Sequence, residues 1–294
     1  MGDRLLTLFL CGDVMTGRGI DQVLPQPGGP GLRERYVDDA RAYVRLAERA
    51  HGPIPRPAGF AWPWGDALPV LEDAAPDVRV INLETSITRS RDFAPGKAVH
   101  YRMSPGNIPC LAVVRPGACA LATNHVLDFG RRGLEDTLAV VAGAGLRAVG
   151  AGRDADQARR PAAVPVPGGG RVVIFSYGTG SSGIPAGWAD APGRAGNDSL
   201  PDLSDATADE PIGRARAAKG PGDVVVVSIH WGSKLGYDVG PDQVRFAHRL
   251  IDGGVYLIHC HSSHHPRPGR GVRGQAGPVR LRGPHQRLRR HYRP

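Results

Sequence analysis

Five short polar segments of this 294-residue chain each follow an apolar run, and together they hold the residue types that bind divalent cations. They are Gly12-Asp13, Asn82-Leu83-Glu84, Asn124-His125, His230-Trp231, and the run from His259 through Cys260, His261, Ser262, Ser263 and His264 to His265. Carboxylate, amide oxygen and imidazole form a donor set that suits Mn, Fe or Zn better than a thiolate site would. Loops at the carboxyl ends of strands line the ligand crevice of an α/β protein, so five such loops can converge on one point.

Each segment also has an ordinary reading. Asp13 could be a turn or capping residue, and Asn124-His125 a turn-forming pair. His230 beside Trp231 could sit at the edge of a core. The dense histidines of 259–265 could form a loose metal-scavenging tract. Glu84 is the least comfortable, because a carboxylate next to a core needs a partner. Five independent coincidences are required for the ordinary readings to hold together, and that requirement is what favours a built site.

The elements that must position these residues are short and rich in Val and Ile. Leu5–Leu10, Val78–Ile81, Cys119–Ala122, Val172–Phe175, Val224–Ile229 and Val255–Ile258 read as buried strands. Arg33–Ala50, Gly133–Gly143 and Asp242–Asp252 have helical spacing. The alternation predicts an α/β fold. Gly/Pro-rich stretches at Pro25–Gly31, Gly52–Gly59 and Pro185–Gly196 read as surface connections, Pro165–Gly170 reads as a turn, and no clear linker divides the chain.

Composition narrows the function classes. The four cysteines, Cys11, Cys110, Cys119 and Cys260, are widely spaced, which argues against a structural zinc site and a disulfide framework. The net charge of +9 comes from the end of the chain: residues 267–294 carry nine Arg and no Lys, Asp or Glu, leaving 28 basic against 28 acidic residues before them. A distributed basic face for nucleic acid is therefore absent from the body. No apolar run approaches the twenty residues of a membrane span, and the expected compartment is cytoplasmic.

In order, "GDVMTGRG", "NLETSIT", "TNHVLDFG", "GAGRD", "SIHWGSKLGY" and "HSSHHPRP" resemble the successive motifs of the CapA family of poly-γ-glutamate biosynthesis proteins, from about Leu5 to about Pro268. The resemblance implies a calcineurin-like metallophosphoesterase αββα sandwich and a role in capsule synthesis or in hydrolysis at a metal centre. It implies Asp13 as the first-strand ligand, Glu84 as the second carboxylate, Asn124 as an amide-oxygen ligand, and His230 and His261 as imidazole ligands, with Asn82 and His264 as additional site residues. A divalent metal there would polarise a phosphoryl or carbonyl oxygen and lower the pKa of a water, while His125 protonates the leaving group. The implied substrate is an anionic small molecule or a polymer such as poly-γ-glutamate.

Departures from the pattern are visible. Met15 stands where a metallophosphoesterase has the histidine of its D-x-H, which predicts one metal or a weakened second site. Cys260 stands where the family has Gly, a bulk expected to shift His261. After Pro268 the family continues with a strand-forming segment and a Gly-Asp loop, whereas this chain turns to Arg, Gly and Pro. A reading-frame shift in a GC-rich gene accounts for that change, since Gly269–Pro294 can be back-translated so that a neighbouring frame reads approximately VEVYGGRPVLYGCGDLINDYEGITG. The expected organisation is a CapA-like domain over residues 1–268, lacking its last strands, and a disordered or frame-shifted tail over 269–294. Three functions follow in rank order: a metal-dependent hydrolase or synthesis factor, a noncatalytic binder of an anionic polymer in the same crevice, and a polyanion binder acting through the Arg-rich tail.

Overall fold

The computed structural model describes residues 5–267 and bears out the α/β expectation with two main, largely parallel sheets beside two two-stranded ones. The first holds β1 (Leu8–Val14), β2 (Val78–Leu83), β3 (Ala118–Ala120) and β4 (Ala148–Val149), all parallel and side by side in chain order. In the second, β5 (Ala162–Pro165) runs antiparallel to the first half of β6 (Arg171–Thr179), and β7 (Ser199–Leu200) lies parallel to the end of β6. On the other side of β6 come β8 (Val224–His230) and then β9 (Leu257–His261), both parallel to it.

Strand alternation sorts the side chains into three apolar layers. Val78, Val80, Ala118 and Ala120 of the first sheet meet Val172, Ile174 and Val226 of the second in one cluster, so the sheets pack face to face. The opposite face of the first sheet, with Ile81 and Leu83, is covered by Leu134, Leu138 and Val141. The opposite face of the second, with Val173, Phe175, Val225, Val227 and Ile229, is covered by Ala208, Ile212, Phe246 and Leu250. Each Val, Ile or Phe fully buried this way contributes roughly 1.5–3 kcal/mol.

The helices that supply these lids are α4 (Gly130–Gly143), α5 (Asp205–Ala218) and α6 (Pro241–Asp252); α1 (Arg18–Val23), α2 (Arg41–His51) and α3 (Ala67–Ala74) precede them. Helix α5 is not among the stretches read as helical from the sequence, and it carries Pro211 within it. It forms because the Ser204 hydroxyl caps it, accepting from the Thr207 N–H at 3.2 Å, and because Ala208, Ile212 and Ala215 bury one face. The helix expected over Arg33–Ala50 begins only at Arg41. Its first part is instead a bent loop closed by an antiparallel bridge between Gly31 and Asp39: Leu32 N–H donates to the Asp38 carbonyl, Ala40 N–H donates to the Pro30 carbonyl, and the Asp39 carboxylate accepts from Arg41 N–H at 2.8 Å.

Among the described residues no helix is long and apolar enough to cross a membrane. The tail over 269–294, and with it the expectation of missing strands and a shifted frame, lies outside the described residues.

Candidate metal centre

The layer between the sheets is apolar along most of its length and turns polar at the carboxyl ends of the strands. On the inward face, β2 runs Val78, Val80, Asn82; β8 runs Val224, Val226, Ser228, His230; β9 runs Leu257, His259, His261. Simple alternation on β1 would place Gly12 inward and Asp13 outward with Cys11. A bulge between Cys11 and Asp13 absorbs Gly12, so that Cys11 pairs with Ile81 and Asp13 with Asn82. The extra residue re-aims Asp13 into the layer.

Three atoms able to ligate a cation then converge. His230 Nδ1 lies 2.8 Å from His261 Nδ1, and Asp13 Oδ1 lies 3.5 Å from the first and 3.7 Å from the second. A triangle with those edges has its corners about 2.0 Å from a common centre, the length of a zinc bond to nitrogen or carboxylate oxygen. Asn82 donates through Nδ2 to Asp13 Oδ1 at 2.6 Å, while its Oδ1 is buried without a hydrogen-bond partner. An orphaned buried oxygen beside such a triangle fits a site built for a cation. Burial pushes the Asp13 carboxyl up, but hydrogen bonding and charge from His230 and the Ser262 N–H outweigh it and hold the group below the usual carboxylate range. Burial pushes His261 well below the ordinary imidazole range, so the ring is neutral and can ligate.

A second group shares Asp13. Its Oδ2 lies 3.7 Å from His264 Nε2, which lies 3.5 Å from Glu84 Oε2. Asp13, Glu84 and His264 thus form a second cluster able to hold a cation, more open because the His264 side chain is 47% exposed. The loop that carries it is strained: Ser262 and His264 have φ of +90° and +56°. Strain at bulky residues persists where surroundings enforce it, and here the Ser262 N–H donates to Asp13 Oδ2 at 2.9 Å. Glu84 Oε1 completes the ring of contacts, 3.8 Å from both His125 Nε2 and His230 Nε2. The hydrogen bond with Glu84 raises the pKa of His264.

His125 is fixed from behind. Its Nδ1 lies 2.6 Å from Asp128 Oδ2, its ring stacks on Tyr101 with centroids 3.9 Å apart, and its backbone carbonyl accepts from Ser86 Oγ at 2.8 Å. Asp128 also takes the Tyr101 N–H at 2.6 Å and the Lys97 ammonium at 2.5 Å. Lys97 donates in addition to the Asn124 carbonyl. Burial lowers the pKa of His125 despite Asp128, and that of Lys97 likewise. Asn124 presents Oδ1 to His230 Nε2 at 3.2 Å. The two sheets can approach this closely because residue 178 is Gly: a Cβ there would sit 2.8 Å from the Ala122 carbonyl oxygen and 2.2 Å from Ile184 Cδ1.

All eight residues singled out in the sequence, Asp13, Asn82, Glu84, Asn124, His125, His230, His261 and His264, are thereby joined by contacts of 3.8 Å or less. The histidine run divides. His259 turns to Ser228, 3.1 Å from its Oγ, and His265 contacts the Gly236 carbonyl at 2.8 Å, outside the cluster. Cys260 alternates onto the face opposite His261, so its bulk does not push on the ligand triangle. Sequence reasoning missed Asp128, Lys97, Tyr101 and Ser228. Asp128 carried one signal, its place three residues after His125 in "TNHVLDFG".

The sequence matches the model of the family described as bacterial capsule synthesis protein PGA_cap over residues 7–276. It is 53% identical over 272 residues to a protein named "probable polyglutamine synthesis accessory protein" in two strains of Mycobacterium tuberculosis, covering 92% of this chain and 72% of the relative. It is 25% identical to the PGA biosynthesis protein CapA of Bacillus subtilis over 265 residues, 89% of this chain and 58% of that protein. The capsule biosynthesis protein CapA of Bacillus anthracis is 27% identical, with 88% and 54% covered.

Proposed function

The chain belongs to the PGA_cap family of bacterial capsule synthesis proteins, and on that premise we propose that it serves poly-γ-glutamate capsule synthesis as a metal-dependent hydrolase. The observation that carries the reading is the Asp13, His230 and His261 triangle, sized for a cation and flanked by the unpartnered Asn82 oxygen. Two sheets packed face to face with helices over their outer faces support a metallophosphoesterase-like αββα sandwich.

Asp13, His230 and His261, with Asn82, Asn124, Glu84 and His264 around them, would hold a divalent Mn, Fe or Zn ion, which would supply Lewis acidity toward a carbonyl or phosphoryl oxygen and make water a stronger nucleophile at neutral pH. The chain's own part is positioning and proton transfer. Asp128 holds the proton of His125 on Nδ1, which leaves Nε2 facing the crevice. Protonated there, the imidazolium is stabilised by Asp128 and made more acidic by burial, and it delivers its proton to the departing amine or alkoxide. Lys97 pairs with the Asp128 carboxylate and ties it to the Asn124 backbone.

The test is metal analysis of the purified chain, together with turnover of poly-γ-glutamate and of a simple phosphoester with and without chelator. Bound metal and chelator-sensitive turnover are expected, and His125→Ala should lose roughly 100- to 10,000-fold in rate while retaining the metal. Polymer binding without turnover, unchanged by His125→Ala, would replace this reading with that of a noncatalytic binder.

A further inference from the structure

Strand β8 reads Val224, Val225, Val226, Val227 and then, in the same buried run, Ser228. The hydroxyl is completely buried on the inward face, where an apolar side chain would continue the layer. It makes two contacts, with His261 Nε2 at 2.8 Å and His259 Nδ1 at 3.1 Å. Its neighbour across β6, Ser176, has no hydrogen-bond partner and so does not compete for it. A hydroxyl between two ring nitrogens donates to one and accepts from the other. The direction decides which nitrogen of His261 carries the proton, and therefore whether Nδ1, the atom in the ligand triangle, has a free lone pair.

We infer that Ser228 and His259 are positioning residues that set the tautomer of His261, keeping Nδ1 bare toward Asp13 and His230. This rests on the metal reading above. His261 Nε2–H donates to Ser228 Oγ, and Ser228 donates in turn to His259 Nδ1. His259 is needed because it gives the hydroxyl proton a place to go. Without that acceptor, Ser228 is free to rotate and donate to His261 Nε2, which moves the ring proton onto Nδ1 and blocks ligation. Metal-binding histidines depend in general on such a partner for the other ring nitrogen.

The experiment has a metal-free arm and a metal arm. Long-range proton–nitrogen correlation spectra of the full chain with labelled histidine, recorded in chelator, should show both His259 and His261 protonated on Nε2. In Ser228→Ala, His261 should populate both tautomers. Its affinity for Zn2+ or Mn2+, measured by competition with a chelating dye, should fall roughly 10- to 100-fold. Ser228→Thr, which restores the hydroxyl on a β-branched frame suited to the strand, should recover both readouts, and unfolding curves separate loss of fold from loss of tautomer. A wild-type His261 protonated on Nδ1 overturns the inference, as does a Ser228→Ala chain with unchanged tautomer and affinity. A wild-type chain that takes up no metal while showing the expected tautomers would sink the hydrolase reading and leave the positioning pair standing.

Discussion

Asp13 is the residue whose replacement tests most of the site at once. Asp13→Asn keeps the shape and removes the charge. The carboxylate now accepts at both oxygens, from Asn82 Nδ2 at 2.6 Å and Ser262 N–H at 2.9 Å. An amide has one accepting oxygen, so its NH2 group must confront one of these donors, and a buried donor left without an acceptor costs about 1–3 kcal/mol. That loss should be visible in chelator, where metal plays no part.

The larger effect appears when metal is added. Removing a group that only orients a ligand weakens metal binding about 10- to 100-fold, and Asp13 faces both ligand groups directly, so a loss of at least about 100-fold is expected. Metal at one hundred times the wild-type Kd adds about 2.7 kcal/mol to the folded state, but only about 0.4 kcal/mol once Kd has risen 100-fold. At about 2–4 °C per kcal/mol for a chain of this size, metal should raise the wild-type unfolding temperature by roughly 5–10 °C and that of Asp13→Asn by about 1 °C. Thermal unfolding followed by circular dichroism, with and without metal, reads both numbers. Equal metal-induced shifts in the two proteins would refute the assignment of Asp13 as a ligand.

Other substitutions probe separate layers. In Asp128→Asn, three donors from His125, Tyr101 and Lys97 lose a common carboxylate; turnover should collapse while metal content by mass spectrometry stays at the wild-type level. Burial depresses the pKa of His259 from 6.5 to about 4, so the unfolded chain takes up a proton that the folded chain resists. The stability present above pH 6.5 should be lost as pH falls toward 4, by up to about 3 kcal/mol, and His259→Asn in chelator should flatten that limb of the pH–stability curve. Ile174→Val, in the layer between the sheets, should cost roughly 0.5–1.5 kcal/mol in urea, whereas Arg245→Ala on the exposed face of α6 should stay within about 0.5 kcal/mol of wild type.

The runs of Val and Ile announced the strands because a strand buried on both faces needs apolar residues at every position, as in Val224–Ile229. The candidate site residues were legible for a related reason: a carboxylate or imidazole directly after such a run cannot stay at the strand's end without a partner. Three features were not legible. The bulge at Gly12 depends on how β1 pairs with β2, which sequence spacing does not reveal. The division of labour between His259 and His261 depends on the contacts each ring meets across the sheet, since both face inward two residues apart. Lys97 reaches Asp128 and His125 from about thirty residues away, through a loop with no periodic pattern.

The placement of the candidate ligands couples the site to the fold. Asp13, Asn82, Glu84, Asn124 and His125 extend from strands of the first sheet, and His230, His261 and His264 from strands of the second. The triangle therefore exists only when the two inward faces are packed, with Val80 and Ala120 against Ile174 and Val226 behind it. A cation bound there would stabilise the seam between the sheets and not merely one loop, because neither half alone supplies the three atoms. Chelation should then lower the stability of the whole described unit in a single unfolding transition. If hydrogen exchange instead showed protection lost only in the Ser262–His265 loop, with β6 and β8 unchanged, the centre would be an appendage to the fold and the coupling argued here would fail.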